Sequence, residues 1–252
     1  LALLVGSVFA QWFVPTGATG AYGVGPLSTF TVNSPADAVD AAPGDGVCAT
    51  AGSVCTLRAA IQEVNALTTC SPFTINFSVN GTITLGSALP VIGHTNLTIT
   101  GNGAANTIIS GNNTVAGLSV TTAGRTLALN DLTITNANST TSGAALSFSG
   151  NNGRLTLTNC VLSNNTTAAD GGGLYLTGTG TMATLTNTTI SGNIATGEAG
   201  GIKLFFATLT LNNCTISGNT CTASGGGVLV TNSGGTLNAN DSTFSSNSSP
   251  VK

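Results

Sequence analysis

Apolar residues recur two apart in short runs, separated by polar or glycine-rich turns. Leu118 and Val120, Leu127 and Leu129, Leu146 and Phe148, and Leu155 and Leu157 show the pattern. A period of two is that of a strand with one buried face. The runs themselves repeat. LTNCVLSNN from Leu157 recurs as LTNTTISGN from Leu185 and LNNCTISGN from Leu211, with weaker copies at LNDLTIT from Leu129 and in TFSSN from Thr243. The anchors Ile134, Leu162, Ile190, Ile216 and Phe244 are spaced by 28, 28, 26 and 28 residues. Glycine-rich units lie between the copies: GAALSF from Gly143, GGGLYL from Gly171, AGGIKL from Ala199 and GGGVLV from Gly225.

Aligning the copies yields columns. Leu118, Leu146, Leu174, Ile202 and Val228 form one, and Val120, Phe148, Leu176, Leu204 and Val230 the next. Leu127, Leu155, Ala183, Leu209 and Leu237 form a third, and Leu129, Leu157, Leu185, Leu211 and Ala239 a fourth. Each coil thus offers three short strands whose apolar face one coil alone cannot bury. Stacking coils about 4.8 Å apart buries it continuously. The pattern predicts an all-β chain: a right-handed parallel β-helix, or β-solenoid, with coils of about 28 residues. Asp131, Asn159, Asn187, Asn213 and Asp241 share one column between two strands. Asn and Asp accept the left-handed backbone of a tight corner, and stacked amides hydrogen-bond from coil to coil. This column is expected to be a structural ladder.

One segment has a helical period. Thr56 is a candidate N-cap for LRAAIQEVNA, in which Leu57, Ala60, Ile61 and Val64 form one apolar face. Arg58, Gln62 and Glu63 fall elsewhere on the helix. Such a short N-terminal capping α-helix would cover the open end of the first coil. Upstream, Leu1 to Ala10 is apolar apart from Gly6 and Ser7, and Val8-Phe9-Ala10 suits signal peptidase. Residues 1–23 are expected to be the remnant of a signal peptide and leader; a buried N-terminal strand is the alternative. The cap is expected over residues 24–72 and the β-helix over 73–249. Residues 250–252 are read as a truncated end from which the chain continues into further domains.

Composition narrows the function. Only 13 of 252 side chains are charged, the net charge is −3, and there is no basic stripe to neutralise phosphates, so a nucleic-acid partner is not expected. Nor is contact of this segment with a membrane. Cys48 and Cys55 flank a short loop before the helix, which suits a disulfide in a secreted chain; Cys70 is an alternative partner for either. Cys160 and Cys214 share an inward column with Leu132, Thr188 and Ser242, two coils and so about 9.6 Å apart, too far to bridge. Cys221 is placed in a loop.

Two stretches resemble a known family. DGVCATAGSVCTLRAAIQEVNA, Asp45 to Ala66, resembles the CSLREA domain of bacterial surface proteins, and Ile75 to Ile92 resembles the stretch that usually succeeds that domain. The GG-[AG]-[ILV] and [FIL]-S-x-N units resemble repeats of polymorphic outer membrane proteins. Thr56 and Ala59 stand where the motif has Ser and Glu, and most repeats carry Leu or Ile in place of Phe. The resemblance implies a secreted right-handed β-helix of pectin-lyase-like fold within a larger surface protein, and no single activity.

Three function classes are compatible with these features. The first is a structural, adhesin-like segment at the cell surface, binding glycans or host ligands. Tyr175, Lys203 and Leu229 occupy equivalent outward positions on successive coils, with Phe205 two residues beyond Lys203. Asp170 and Glu198 align at the start of the same strands, where two carboxylates suit a calcium ion. The second is a polysaccharide lyase or glycoside hydrolase, which needs clustered carboxylates. No close Asp pair occurs in the repeats, and the lone His94 reads as a polar turn residue. The third is an ice-binding protein. Thr98/Thr100, Thr133/Thr135, Thr189/Ser191 and Thr215/Ser217 flank strand anchors, but Val161 and the serines interrupt the row.

Overall fold

The computed structural model describes residues 29–68, 72–231 and 234–250. The expected leader, Cys70 and the last two residues lie outside the described residues. The described residues form a parallel β-solenoid of about six turns with a single helix. A complete coil runs through four strands, illustrated by Leu146–Ser149, Arg154–Thr158, Val161–Ser163 and Thr166–Thr167. Each stacks on its counterpart in the next coil to build one of four parallel sheets, here numbered first to fourth in that order. The sequence pattern predicts three strands per coil. The fourth is two residues long, too short for a period-two signal to register.

The second sheet is the longest. Its eight strands are Thr29–Val32, Phe73–Phe77, Asn96–Thr100, Thr126–Asn130, Arg154–Thr158, Met182–Thr186, Thr208–Asn212 and Thr236–Asn240. All four apolar columns pair as the repeat predicts. Leu146 stands opposite Leu118 and Leu174, and Leu174 opposite Ile202. Leu155 stands opposite Leu127 and Ala183, and Leu162 opposite Ile134 and Ile190. Nearly all these side chains are below 3 % exposed. The exceptions are on the last coil, where Val230 and Phe244 keep their inward columns at 37 % and 45 % exposed. No described coil covers them. The 26-residue coil has a simple origin. Two residues, Phe206 and Ala207, join Ile202–Phe205 to Thr208–Asn212, where four join the matching strands one coil earlier.

Helix α1, Leu57–Ala66, packs on Thr29–Val32 and Phe73–Phe77 and caps the core with Leu57, Ile61 and Val64, all fully buried. Thr56 is its N-cap: Oγ1 accepts the Ala59 N–H at 3.1 Å. Helical spacing sets Arg58 and Glu63 on the polar side, yet they are 6 % and 0 % exposed. Residues 33–55 wrap over that side. Arg58 makes a two-pronged pair with Asp37 (Nε–Oδ1 2.7 Å, Nη2–Oδ2 2.9 Å) and donates to the Ser87 and Ala88 carbonyls. Glu63 accepts the N–H groups of Gly44 and Gly46 at 2.5 and 2.6 Å. Cys48 and Cys55 form the disulfide that ties this wrap together. His94 sits in the bend before Asn96–Thr100, as expected of a turn residue, and is buried there. It packs edge-on against Phe73, with ring centroids 4.7 Å apart.

Candidate functional site

The outward positions of the first sheet run Ser119, Ser147, Tyr175, Lys203 and Leu229 in strict register. The turn preceding each strand folds down over this row. At Gly171, φ is +67°, and an added Cβ would stand 2.6 Å from the Leu174 carbonyl oxygen and 3.2 Å from the Tyr175 Cα. Glycine lets the turn come this close here. The turn and the strand enclose a depression of about 320 Å³ at the upper end of the row. Ser119, Thr121, Ser139, Thr141, Ser142, Ser147 and Tyr175 are among the residues that line it.

The structure brings Tyr175, Lys203, Asp170 and Glu198 together, but differently from a solvent-facing cluster. Lys203 is only 4 % exposed, although period two places it outward. The overlying turn shields it, and its Nζ is paired with Glu198 Oε2. Its charge is therefore engaged within the chain. Asp170 Oδ1 accepts the Glu198 N–H at 2.8 Å, so this carboxylate serves to lock one coil to the next. The Tyr175 phenol is held above its ordinary pKa, first by burial and then by the neighbouring Asp170 charge, with a Thr177 hydrogen bond acting the other way. Tyr175 is thus a neutral ring with a hydroxyl at any physiological pH. Among the described residues no group of three or more His, Cys, Asp or Glu gathers as a metal site would require.

Leu229 is half-buried on the last coil. Phe205 lies at the far end of its strand, edge-on to Phe206 with ring centroids 4.4 Å apart. Phe206 takes the shortened corner at φ +57° and is 40 % exposed. These rings form a corner separate from the depression, whose lining includes neither.

The predicted corner ladder is present. Asp131, Asn159, Asn187, Asn213 and Asp241 all have φ between +48° and +55°. Asn159 Nδ2 donates to Asp131 Oδ1 at 2.9 Å, Asn187 to Asn159 at 3.2 Å, and Asn213 to Asn187 at 2.7 Å. A second ladder has no counterpart among the features predicted from the repeat. Asn165, Asn193, Asn219 and Asn247 are the closing residues of the repeated motifs. They turn inward, the first three fully buried, and each Nδ2 donates to the next Oδ1 at 2.8 to 2.9 Å. Cys221 also departs from expectation. It is a buried free thiol on the two-residue strand Thr220–Cys221, not a loop residue. Cys160 and Cys214 point into the core, where the single S–H of each lies within reach of two carbonyl oxygens at 3.3 to 3.4 Å.

The rows of threonine pairs are sorted by the fold. Thr98/Thr100 belongs to the second sheet, whereas Thr133/Thr135, Thr189/Ser191 and Thr215/Ser217 belong to the third. They are not one row. No family model, curated protein or solved structure matches the chain.

Proposed function

We propose that the chain is a rigid, non-enzymatic segment of a secreted surface protein, and that its first sheet presents a groove for a glycan. The observation that carries this reading is the depression bounded by Tyr175 and lined by six serine and threonine side chains. An aromatic ring offers a flat apolar face to a sugar ring, and surrounding hydroxyls exchange hydrogen bonds with its own. The disulfide between Cys48 and Cys55 supports an oxidising, extracellular location. The resemblance of Asp45 to Ala66 to a surface-protein motif points the same way. The engagement of Lys203 with Glu198, and of Asp170 with the next coil, leaves little for general acid and base work beside the groove.

The test is a glycan array probed with the parent and with Tyr175→Ala, both checked for an unchanged melting transition. The parent should bind a defined set of glycans. Loss of the ring should weaken that binding by about tenfold, the scale of one aromatic contact. A parent that binds no glycan, or a variant that binds as well as the parent, overturns the reading.

A further inference from the structure

We propose that the second sheet is an ice-binding face. Two of its outward columns run side by side down the solenoid, beside a third at the strand starts that reads Asn96, Thr126, Arg154, Met182, Thr208 and Thr236. Of the first two, one reads Thr29, Thr74, Thr98, Ala128, Thr156, Thr184, Thr210 and Asn238, and the other Thr31, Asn76, Thr100, Asn130, Thr158, Thr186, Asn212 and Asn240. No charged side chain stands in either column. Thr156 and Thr184 are exposed and Thr158, Thr186 and Thr210 half-exposed, and their hydroxyls take no hydrogen-bond partner within the described chain. The residues between them, Leu155, Leu157, Ala183, Leu185, Leu209 and Leu211, are at most 2 % exposed. The face is thus anchored at every second residue.

Two repeats define this surface. Strands stand about 4.8 Å apart, and residues two apart along a strand are separated by about 6.6 Å. The first lies near the shorter oxygen repeat on the prism faces of hexagonal ice. Each threonine presents a hydroxyl that can join such a lattice and a methyl that water can pack around. Its branched Cβ restricts χ1, so the array is held in place before ice arrives. The third sheet is a natural comparison. Val161 interrupts its threonine column, and serines, which lack the methyl, make up much of the other. This inference does not depend on the groove, because neither Tyr175 nor the hydroxyls beside it belong to the second sheet.

The experiment is ice-affinity partitioning of the full chain, together with thermal hysteresis and crystal shaping. Three proteins are compared: the parent, the double variant Thr156→Tyr with Thr184→Tyr on the second sheet, and Thr189→Tyr on the third. Tyrosine suits an exposed strand position, so all three should fold, as their melting transitions will show. The parent should enter the ice fraction and facet growing crystals. The double variant should lose most of that activity, and Thr189→Tyr should keep it. A parent excluded from ice overturns the proposal. So does a double variant that partitions like the parent, an equal loss in Thr189→Tyr, or a parent that adsorbs to crystalline cellulose or chitin but not to ice.

Discussion

Replacing Asn193 by alanine should be among the most damaging single changes in the solenoid, although it removes only a small polar side chain. Asn193 is fully buried. Its Nδ2 donates to Asn219 Oδ1 and to the Leu162 carbonyl, both at 2.9 Å. Its Oδ1 accepts from the Asn165 backbone N–H at 3.0 Å and from Asn165 Nδ2 at 2.8 Å. Every donor and acceptor site of the amide is used. Alanine leaves two buried N–H donors of Asn165 without partners, at about 1–3 kcal/mol each, and strips a donor from Leu162. The sum is roughly 3–6 kcal/mol, a large part of the total stability of a typical domain.

The matched control is Asn187→Gly on the corner ladder. Asn187 is exposed, and its two side-chain bonds, to Asn159 and Asn213, can be replaced by water. Glycine also accepts the φ of +50° at that corner. The expected cost is about 1 kcal/mol. Urea unfolding followed by circular dichroism would compare the two midpoints. Hydrogen exchange should show lost protection in the coils from Asn165 to Asn219 for Asn193→Ala only. If Asn193→Ala costs no more than Asn187→Gly, burial of the inner ladder is not what gives it its strength.

Other changes test the cap and the thiols. Arg58→Gln should cost about 3–5 kcal/mol, since it leaves the Asp37 carboxylate buried without its cation; a urea midpoint near that of the parent would contradict this. Reduction of the Cys48–Cys55 disulfide should lower stability by about 2.5 kcal/mol on loop-closure entropy, read as a fall in the melting temperature with dithiothreitol. The Cys160 thiol is pushed up to about 11, chiefly by burial. A thiol whose folded pKa is raised contributes fully below its unfolded value and loses that contribution as pH climbs to the folded one. Stability should therefore fall between about pH 9 and 11, by roughly 2–3 kcal/mol from this group. Iodoacetamide mapping at pH 9 should leave Cys160 unlabelled in the native protein and label it in urea.

Much of the architecture was legible because a solenoid repeats its own constraints. One period-two strand is a weak signal, but five copies at nearly constant spacing bring Leu146, Leu174 and Ile202 to one column with no other information. The corner ladder was legible for a related reason: Asn159, Asn187 and Asn213 recur where the chain must turn, and they are residues that tolerate a positive φ. What escaped depends on segments that fold back. Lys203 is outward by period, yet it is buried and paired with Glu198 of the preceding turn, and no periodicity encodes that pairing. Arg58 and Glu63 are polar by helical wheel, yet residues 33–55 supply the carboxylate and the backbone donors that make burial tolerable. The threonine pairs were mixed because two strands of one coil carry the same Thr-x-Thr pattern, and only the sheet to which each belongs tells them apart.

The two ladders make the solenoid directional in a way that side-chain volume does not. On the corner, each amide donates to the coil before it: Asn213 to Asn187, Asn187 to Asn159, and Asn159 to Asp131. An aspartate ends this series well, since it only needs to accept. Inside, each amide donates one N–H to the amide of the coil after it, Asn165 to Asn193, Asn193 to Asn219 and Asn219 to Asn247, and the other to a carbonyl of the coil before it. Amide-to-amide bonds of opposite sense thus run at the two ends of the strands Thr133–Thr135, Val161–Ser163, Thr189–Ser191 and Thr215–Ser217. A slip of one residue would flip a strand's side chains and break both series at once. The same strict register fixes the spacing of the threonine columns on the second sheet, because each corner ladder residue is the direct continuation of a strand of that sheet. Coil geometry that is maintained by satisfied amides in the core is what a lattice-matching outer surface requires.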